Sequence, residues 1–270
     1  MTTDRLIQLK QVLTEMESVV VAYSGGIDSA LLLKVAHDCL GERVVAVTAL
    51  SHSMPTAERA EAETIARQIG ANHVFVYSQE FEEPRYLANT SDRCYYCKAV
   101  LFDQLLAHAR DNGFRFVADG ANVDDVGDFR PGLRAGRERG VRSPLREVGL
   151  TKPEIRQLAH RLGLSNWNTP ANACLASRIP YGTPVTRQRL AQVEKAEAAL
   201  RQLGLAQLRV RHHGTAARIE VEPGDFEAIL SHREMIVQQL KAAGYTYVTL
   251  DLAGFRSGSM NEVTDVHGPQ

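Results

Sequence analysis

The chain has 270 residues, 44% of them hydrophobic, and its 31 Lys and Arg against 32 Asp and Glu leave a formal net charge of −1. That length is long for one domain and short for two large ones, and the apolar fraction suffices for a packed core. Near-neutral charge gives no electrostatic case for a nucleic acid or membrane partner, and no apolar run reaches the roughly 18 residues of a transmembrane helix. The N-terminal stretch MTTDRLIQLKQVL lacks the apolar centre of a signal peptide. A cytoplasmic protein with reduced cysteines is therefore expected.

In chain order, residues 4–17 carry Leu6, Leu9, Leu13 and Met16 on one helical face. Val19 to Tyr23 is a short β-branched run, the signature of a strand buried on both faces. Ser24-Gly25-Gly26 breaks it, and a helix follows to Leu40, with Asp28 or Ser29 as its expected cap. Arg43 to Leu50 reads as a second strand, Thr56 to Ile69 as a helix stopped by Gly70, and His73 to Tyr77 as a third strand. A helix over Tyr95–Arg110 and a strand over Phe114–Ala118 complete an alternation that predicts a doubly wound α/β domain with a parallel sheet. Residues 119–149, with Asp124, Asp125, Asp128 and the basic stretch RPGLRAGRERGVR, read as a long functional loop. Thr151 and Glu154 form a capping box for a helix to Leu162. After an irregular stretch the pattern changes. A helix over Arg187–Leu203, a hairpin of Gln207–His213 and Ala216–Val221, a helical segment over Asp225–Ala243 broken near Ser231, and a strand over Tyr245–Asp251 predict a small α+β domain. The expected division is 1–182 and 183–270.

The chemistry begins at VVVAYSGGIDS. A strand, a glycine turn and a helix make an oxyanion cradle, because glycines let successive N–H groups point inward and the helix start adds partial positive charge. The dinucleotide fingerprint needs three glycines and Walker A needs a Lys after them; neither is present. S-G-G-x-D-S after a strand resembles instead the PP-loop of ATP pyrophosphatases, which cleave ATP between its α- and β-phosphates. An ordinary strand-to-helix turn is the plain alternative.

Cys94 and Cys97 form C-Y-Y-C, a spacing shared by zinc half-sites, redox pairs and iron–sulfur half-sites. No second such pair completes a four-ligand zinc site. Cys174, in NACLASRIPYG, can complete a three-thiolate site in which a four-iron cluster keeps one open iron; three unrelated thiols are the alternative. Cys39 reads as core. Asp28 and Asp124 are placed to serve Mg²⁺, which takes one or two carboxylates plus phosphate oxygens, while Asp125 and Asp128 read equally as a solvated loop. Arg209 and Arg211 share a strand face and suit a second phosphate, or else a solvated face paired with Glu220 and Glu222. Arg178, four residues after Cys174, is placed to neutralise an oxyanion near the thiol or to lower its pKa.

Together AYSGGIDSALLLKVA, DGANVDDVGDFRPGLRA, SPLREVGLTKPEIR, ACLASRIPYG and DLAGFRSGSMNE resemble the LarE family, ATP-dependent sulfur transferases of lactate racemase maturation, over nearly all of residues 5–263. The resemblance implies adenylation of a carboxylate of pyridinium biscarboxylic acid mononucleotide, with AMP and pyrophosphate as products. Sulfur then replaces an oxygen, building the organic part of the nickel-pincer nucleotide. It implies Ser24, Gly25, Gly26, Asp28, Ser29, Gly120, Asn122 and Asp124 for ATP, pyrophosphate and Mg²⁺. Arg178, Arg209, Arg211, Glu220, Asp251 and Arg256 fall to the substrate phosphate and its pocket, and Cys174 to the sulfur-donor position. Cys94 and Cys97 resemble the three-cysteine type, thought to carry a [4Fe-4S] cluster; members with a single cysteine sacrifice its sulfur and leave dehydroalanine. Hexamers and transient contacts with other cofactor-maturation proteins are implied as well. A PP-loop tRNA thiolase and a non-catalytic nucleotide sensor are the rivals. The first needs a basic RNA-binding surface, and the second has no use for Asp28, Asp124 or the cysteines.

Overall fold

A computed structural model describes residues 2–125, 131–170, 173–205 and 207–256. The chain divides into two compact units, one of Met1–Tyr86 with Asp92–Asn172, the other of Leu87–Ser91 with Ala173–Gln270.

The first unit runs α1 (Thr2–Met16), β1 (Val19–Ala22), α2 (Ile27–Leu40), β2 (Val44–Leu50), α3 (Thr56–Ile69) and β3 (Asn72–Tyr77). It continues with α4 (Pro84–Leu87), whose last residue belongs to the second unit, then α5 (Arg93–Asp111), β4 (Phe116–Ala118), α6 (Pro131–Glu138), α7 (Pro144–Glu147) and α8 (Lys152–Arg161). Its sheet is parallel, in the order β3-β2-β1-β4. Side chains alternate faces along a strand. Val19, Val21, Val44 and Ala46 accordingly pack into one core with α1, α2, α3 and α8. Val20, Val45, Val47 and Val117 pack into another, with Phe102 and Leu105 of α5 and Ala135 of α6. Helices on both faces explain why β1 is apolar at every position. The order of strands reverses between β1 and β4, so the turns after those two strands flank the crevice in which such sheets bind ligands.

Two local expectations change. Helix α2 starts at Ile27 with Gly26 as its N-cap, and no side chain caps it, so Asp28 and Ser29 lie inside the helix. The 119–149 stretch is not a plain loop, for it contains α6 and α7. The glycines of α6 are what let it form. A Cβ on Gly132 would lie 3.0 Å from Lys98 Cγ and one on Gly136 3.1 Å from Phe102 Cε2, so close packing on α5 overrides weak helix propensity.

The second unit holds α9 (Arg187–Arg201), β5 (Leu208–His213), β6 (Ala216–Val221), α10 (Phe226–Ser231), α11 (Arg233–Ala242) and β7 (Tyr247–Leu250). β5 and β6 form an antiparallel hairpin around Gly214, and β7 joins β6 in parallel. Leu208, Val210, Ala217, Ile219 and Val221 pack with Leu200, Ile236, Leu240 and Tyr245. The opposite register positions pair Arg209 with Glu220 and Arg211 with Arg218. Among the described residues no helix is long and apolar enough to cross a membrane.

Candidate functional site

The turn after β1 is held by two serines. Ser29 Oγ donates to Gly26 O at 2.9 Å and accepts from the Ser24 N–H at 3.3 Å. Ser24 Oγ lies 3.2 Å from Ser29 Oγ and accepts from the Gly26 N–H at 3.3 Å. Gly25 has φ +79°, and a Cβ there would lie 2.7 Å from Ala62 Cβ, so only glycine fits. With no side-chain cap on α2, the first N–H groups of that helix keep no intrahelical acceptor and face the turn.

The turn after β4 approaches the same helix end. A Cβ on Gly120 would lie 2.8 Å from Ser29 N and 3.0 Å from the Asp28 carbonyl carbon, so the absent side chain lets the two backbones meet. Asn122 is buried and donates from Nδ2 to Asp28 Oδ1 at 3.3 Å, while its Oδ1 accepts from the Asp124 N–H at 3.0 Å. The Asn122 N–H is held by Asp125 Oδ2 at 2.9 Å, which gives Asp125 a structural part in the turn. Asp128 lies outside the described residues.

Lys152 joins these pieces, and sequence reasoning missed it. It is the first residue of α8, placed by the capping box in which Glu154 accepts from the Thr151 N–H at 3.0 Å. Its Nζ donates to Asp28 Oδ2, and its backbone N–H donates to Asp124 Oδ2 at 2.6 Å. A cation, two carboxylates and the starts of α2 and α8 thus meet at the carboxyl ends of β1 and β4. The capping box was the available signal, since it fixes where α8 starts and so where Lys152 stands. Among the described residues no group of three or more His, Cys, Asp or Glu is gathered to hold a metal. A magnesium ion shared with phosphates needs only one or two carboxylates, which Asp28 and Asp124 fit.

None of the four cysteines is in a disulfide; Cys174 is exposed and the others are half-buried. Cys39 packs against the core as expected. Cys94 and Cys97 lie at the start of α5, three residues apart and so neighbours on the helix surface. The buried Arg93 guanidinium lies 3.9 Å from Cys94 Sγ.

Cys174 belongs to the second unit, where it opens a 3-10 turn, Leu175–Arg178. Its carbonyl oxygen accepts from Ser177 N at 2.9 Å, Ser177 Oγ at 2.8 Å and Arg178 Nη1 at 3.0 Å. These bonds fix the backbone and leave the thiol exposed. Arg178 is fully buried and forks onto Glu197 at 2.8 and 3.1 Å, so its grip on the cysteine segment runs through carbonyls. Glu197, also missed from sequence, accepts from the Val210 N–H as well.

Arg209 and Arg211 are buried rather than solvated, although the expected pairing with Glu220 is present. Arg211 donates from Nε to Glu220 Oε2 at 2.9 Å and from Nη1 to Ser177 O at 3.0 Å. Glu220 also takes Arg218 Nη2 at 2.9 Å. Arg209 lies over the Phe255 ring at 5.2 Å; burial, followed by the Arg178 charge, pushes its pKa down to about 10. Asp251 pairs with Arg218 at 3.5 Å, and Arg256 donates to Gly254 O at 3.5 Å. Glu197, Glu220 and Asp251 thus already neutralise much of this guanidinium cluster.

No family model matches the chain. It is 43% identical over 265 residues to an uncharacterized protein of Synechocystis sp., covering 97% of this chain and 99% of that one. It is 42% identical over 251 residues to the pyridinium-3,5-bisthiocarboxylic acid mononucleotide synthase of Lactiplantibacillus plantarum, covering 93% and 91%. A weaker likeness, 30% over 187 residues, links it to the tRNA-specific 2-thiouridylase MnmA of Geobacter metallireducens, covering 54% of this chain and 51% of that protein. The match to the synthase runs nearly end to end, so this chain belongs to the LarE family of PP-loop proteins.

Proposed function

We propose that this protein is an ATP-dependent sulfur transferase. It adenylates a carboxylate of pyridinium-3,5-biscarboxylic acid mononucleotide, releases pyrophosphate, and converts the acyl adenylate to a thiocarboxylate with loss of AMP. The observation that carries the reading is the meeting of the Gly25–Gly26 turn, Asn122, Asp124 and Lys152 at one end of the parallel sheet. A carboxylate is a poor electrophile because its charge is delocalised and oxide leaves badly; adenylation makes AMP the leaving group. The charge that develops on pyrophosphate meets N–H groups already oriented, and Lys152 supplies a cation. Asp28 and Asp124 would hold Mg²⁺, which supplies charge neutralisation between phosphate oxygens. Arg209 and Arg211 would hold the substrate's own phosphate, with Arg178, Glu220, Asp251 and Arg256 completing that pocket.

Cys94, Cys97 and Cys174 would hold a [4Fe-4S] cluster, which when bound offers an iron free of protein thiolate as a place for sulfide. In favour of this, none of the three is in a disulfide and Cys94 and Cys97 are neighbours on α5. The exposure of Cys174 favours a second route, in which that thiol gives up its own sulfur.

One preparation decides between them. Anaerobically purified protein should release AMP and pyrophosphate with the biscarboxylate substrate, and Asp28→Ala should not. It should contain about four irons per chain, lost in Cys94→Ala, Cys97→Ala and Cys174→Ala. Protein without iron that becomes about 34 Da lighter on turnover has lost hydrogen sulfide from Cys174 and refutes the cluster route.

A further inference from the structure

Asn166 stands outside every residue set above, yet it touches the Gly-rich turn from behind. It follows α8, is 3% exposed, and donates from Nδ2 to the Gly25 carbonyl oxygen at 2.9 Å. A carbonyl only accepts, so the amide must present its NH₂ to Gly25. Its Oδ1 is then buried without a partner, at a groove of about 290 Å³ lined by Glu61, Thr64, Ser165 and Thr169.

Helix α3 also closes on Gly25, through Ala62, whose Cβ a Gly25 Cβ would meet at 2.7 Å. The Gly25 peptide is therefore held by both α3 and Asn166. In a trans peptide the C=O and the next N–H point in opposite directions. Fixing Gly25 O towards Asn166 turns the Gly26 N–H the other way, where it meets only Ser24 Oγ at a long 3.3 Å. A bond that long yields readily to an anion.

We propose that Asn166 is a positioning residue of the cradle: it sets the Gly25–Gly26 peptide plane so that the Gly26 N–H stands ready for pyrophosphate. The inference rests on the pyrophosphate reading of the turn. Without the grip, a Gly-Gly peptide rotates at little steric cost, and rotation would present a carbonyl oxygen to the anion.

Asn166→Asp tests this, because it keeps the shape and Oδ1 but sets an acceptor against Gly25 O. Magnesium pyrophosphate binding is measured by calorimetry on the full chain at pH 7.5 and pH 5. At pH 7.5 the variant should bind about 10–100-fold more weakly than wild type, the worth of one hydrogen bond to a charged group. At pH 5 the ratio should move back towards one, since a protonated carboxyl donates to Gly25 O again. Glu61, in the same groove, helps by raising the pKa of the introduced acid. Asn166→Ser should bind weakly at both pH values. Equal binding by folded wild type and Asn166→Asp overturns the positioning role, and so does a loss that pH leaves unchanged, which marks mere structural damage. A wild-type protein that binds no magnesium pyrophosphate overturns the pyrophosphate reading itself, and the inference with it.

Discussion

Gly120→Ala is the sharpest local test of how the nucleotide end is built. The added Cβ would lie 2.8 Å from Ser29 N, about 0.6 Å short of the 3.4 Å at which ordinary contact begins. The three nearest atoms all belong to the backbone at the start of α2, so no side chain can swing aside. The strand end and the helix start must separate. Overpacking of this kind costs about 1–3 kcal/mol. At roughly 2–4 °C per kcal/mol for a domain of this size, the melting temperature should fall by about 2–12 °C. The activity should suffer more than the stability, because the displaced atoms carry the N–H groups proposed to meet pyrophosphate. A misplacement approaching 1 Å is worth up to about 10²-fold, so pyrophosphate release should fall about 10–100-fold per folded enzyme. Gly224→Ala is the control: nothing lies within 4 Å of its Cβ and its φ is not in the left-handed region. A Gly120→Ala protein that melts and turns over like Gly224→Ala would refute the close approach of β4 to α2.

Other substitutions probe the charges. Lys152→Met should lower pyrophosphate release about 10²-fold, by analogy with loss of a preorganised donor, while melting changes little. Its ion pair with Asp28 is a quarter exposed on both sides, and such pairs contribute about 0–1 kcal/mol. Glu220→Ala should destabilise the second unit by about 3–5 kcal/mol in thermal unfolding, since it leaves Arg211 buried beside a lost partner. Burial lowers the pKa of His73, His212 and His213 in the folded chain. The unfolded chain therefore binds more protons as pH falls through the ordinary histidine range, and stability should drop from there towards the lowered folded values. Burial raises the pKa of Glu80, which works in the opposite sense. Melting curves of wild type and His212→Gln between pH 8 and 5 check the sign; an equally steep loss in both removes His212 from the cause.

The legible parts of the fold are those whose signal is local. The VVVA run, the Gly70 stop and the Thr151–Glu154 capping box each act within a few residues and stand where expected. Helix α6 was not legible, because PGLRAGRE forms a helix only where its glycines lie against Phe102 and Lys98. The same division runs through the site. Ser24 and Ser29 are stitched together across five residues and could be read from the motif. Lys152 reaches Asp28 across 124 residues and Asn166 reaches Gly25 across 141, so no spacing rule could find either. The arginines of β5 were visible, but their burial was not. It depends on Ser177 and Glu220 accepting from Arg211, and on Phe255 lying beneath Arg209.

On the function proposed above, the two units would hold their anions by different physics. In the first, the donors are mostly backbone N–H groups whose direction is fixed by Gly25, Gly120 and the start of α2. They carry partial charge, need no counter-ion when empty, and have little long-range pull. In the second, the full charges of Arg178 and Arg211 are buried and already engage Glu197 and Glu220, while the half-buried Arg218 pairs with Asp251. An incoming phosphate must compete with those carboxylates, which costs affinity but enforces position, because each guanidinium is held before the ligand arrives. The first arrangement suits a group whose charge grows during the reaction, since its worth rises as pyrophosphate departs. The second suits a group whose charge stays constant while another part of the same molecule reacts. Fixed binding of that kind serves orientation, and its loss should appear first in KM for the nucleotide substrate.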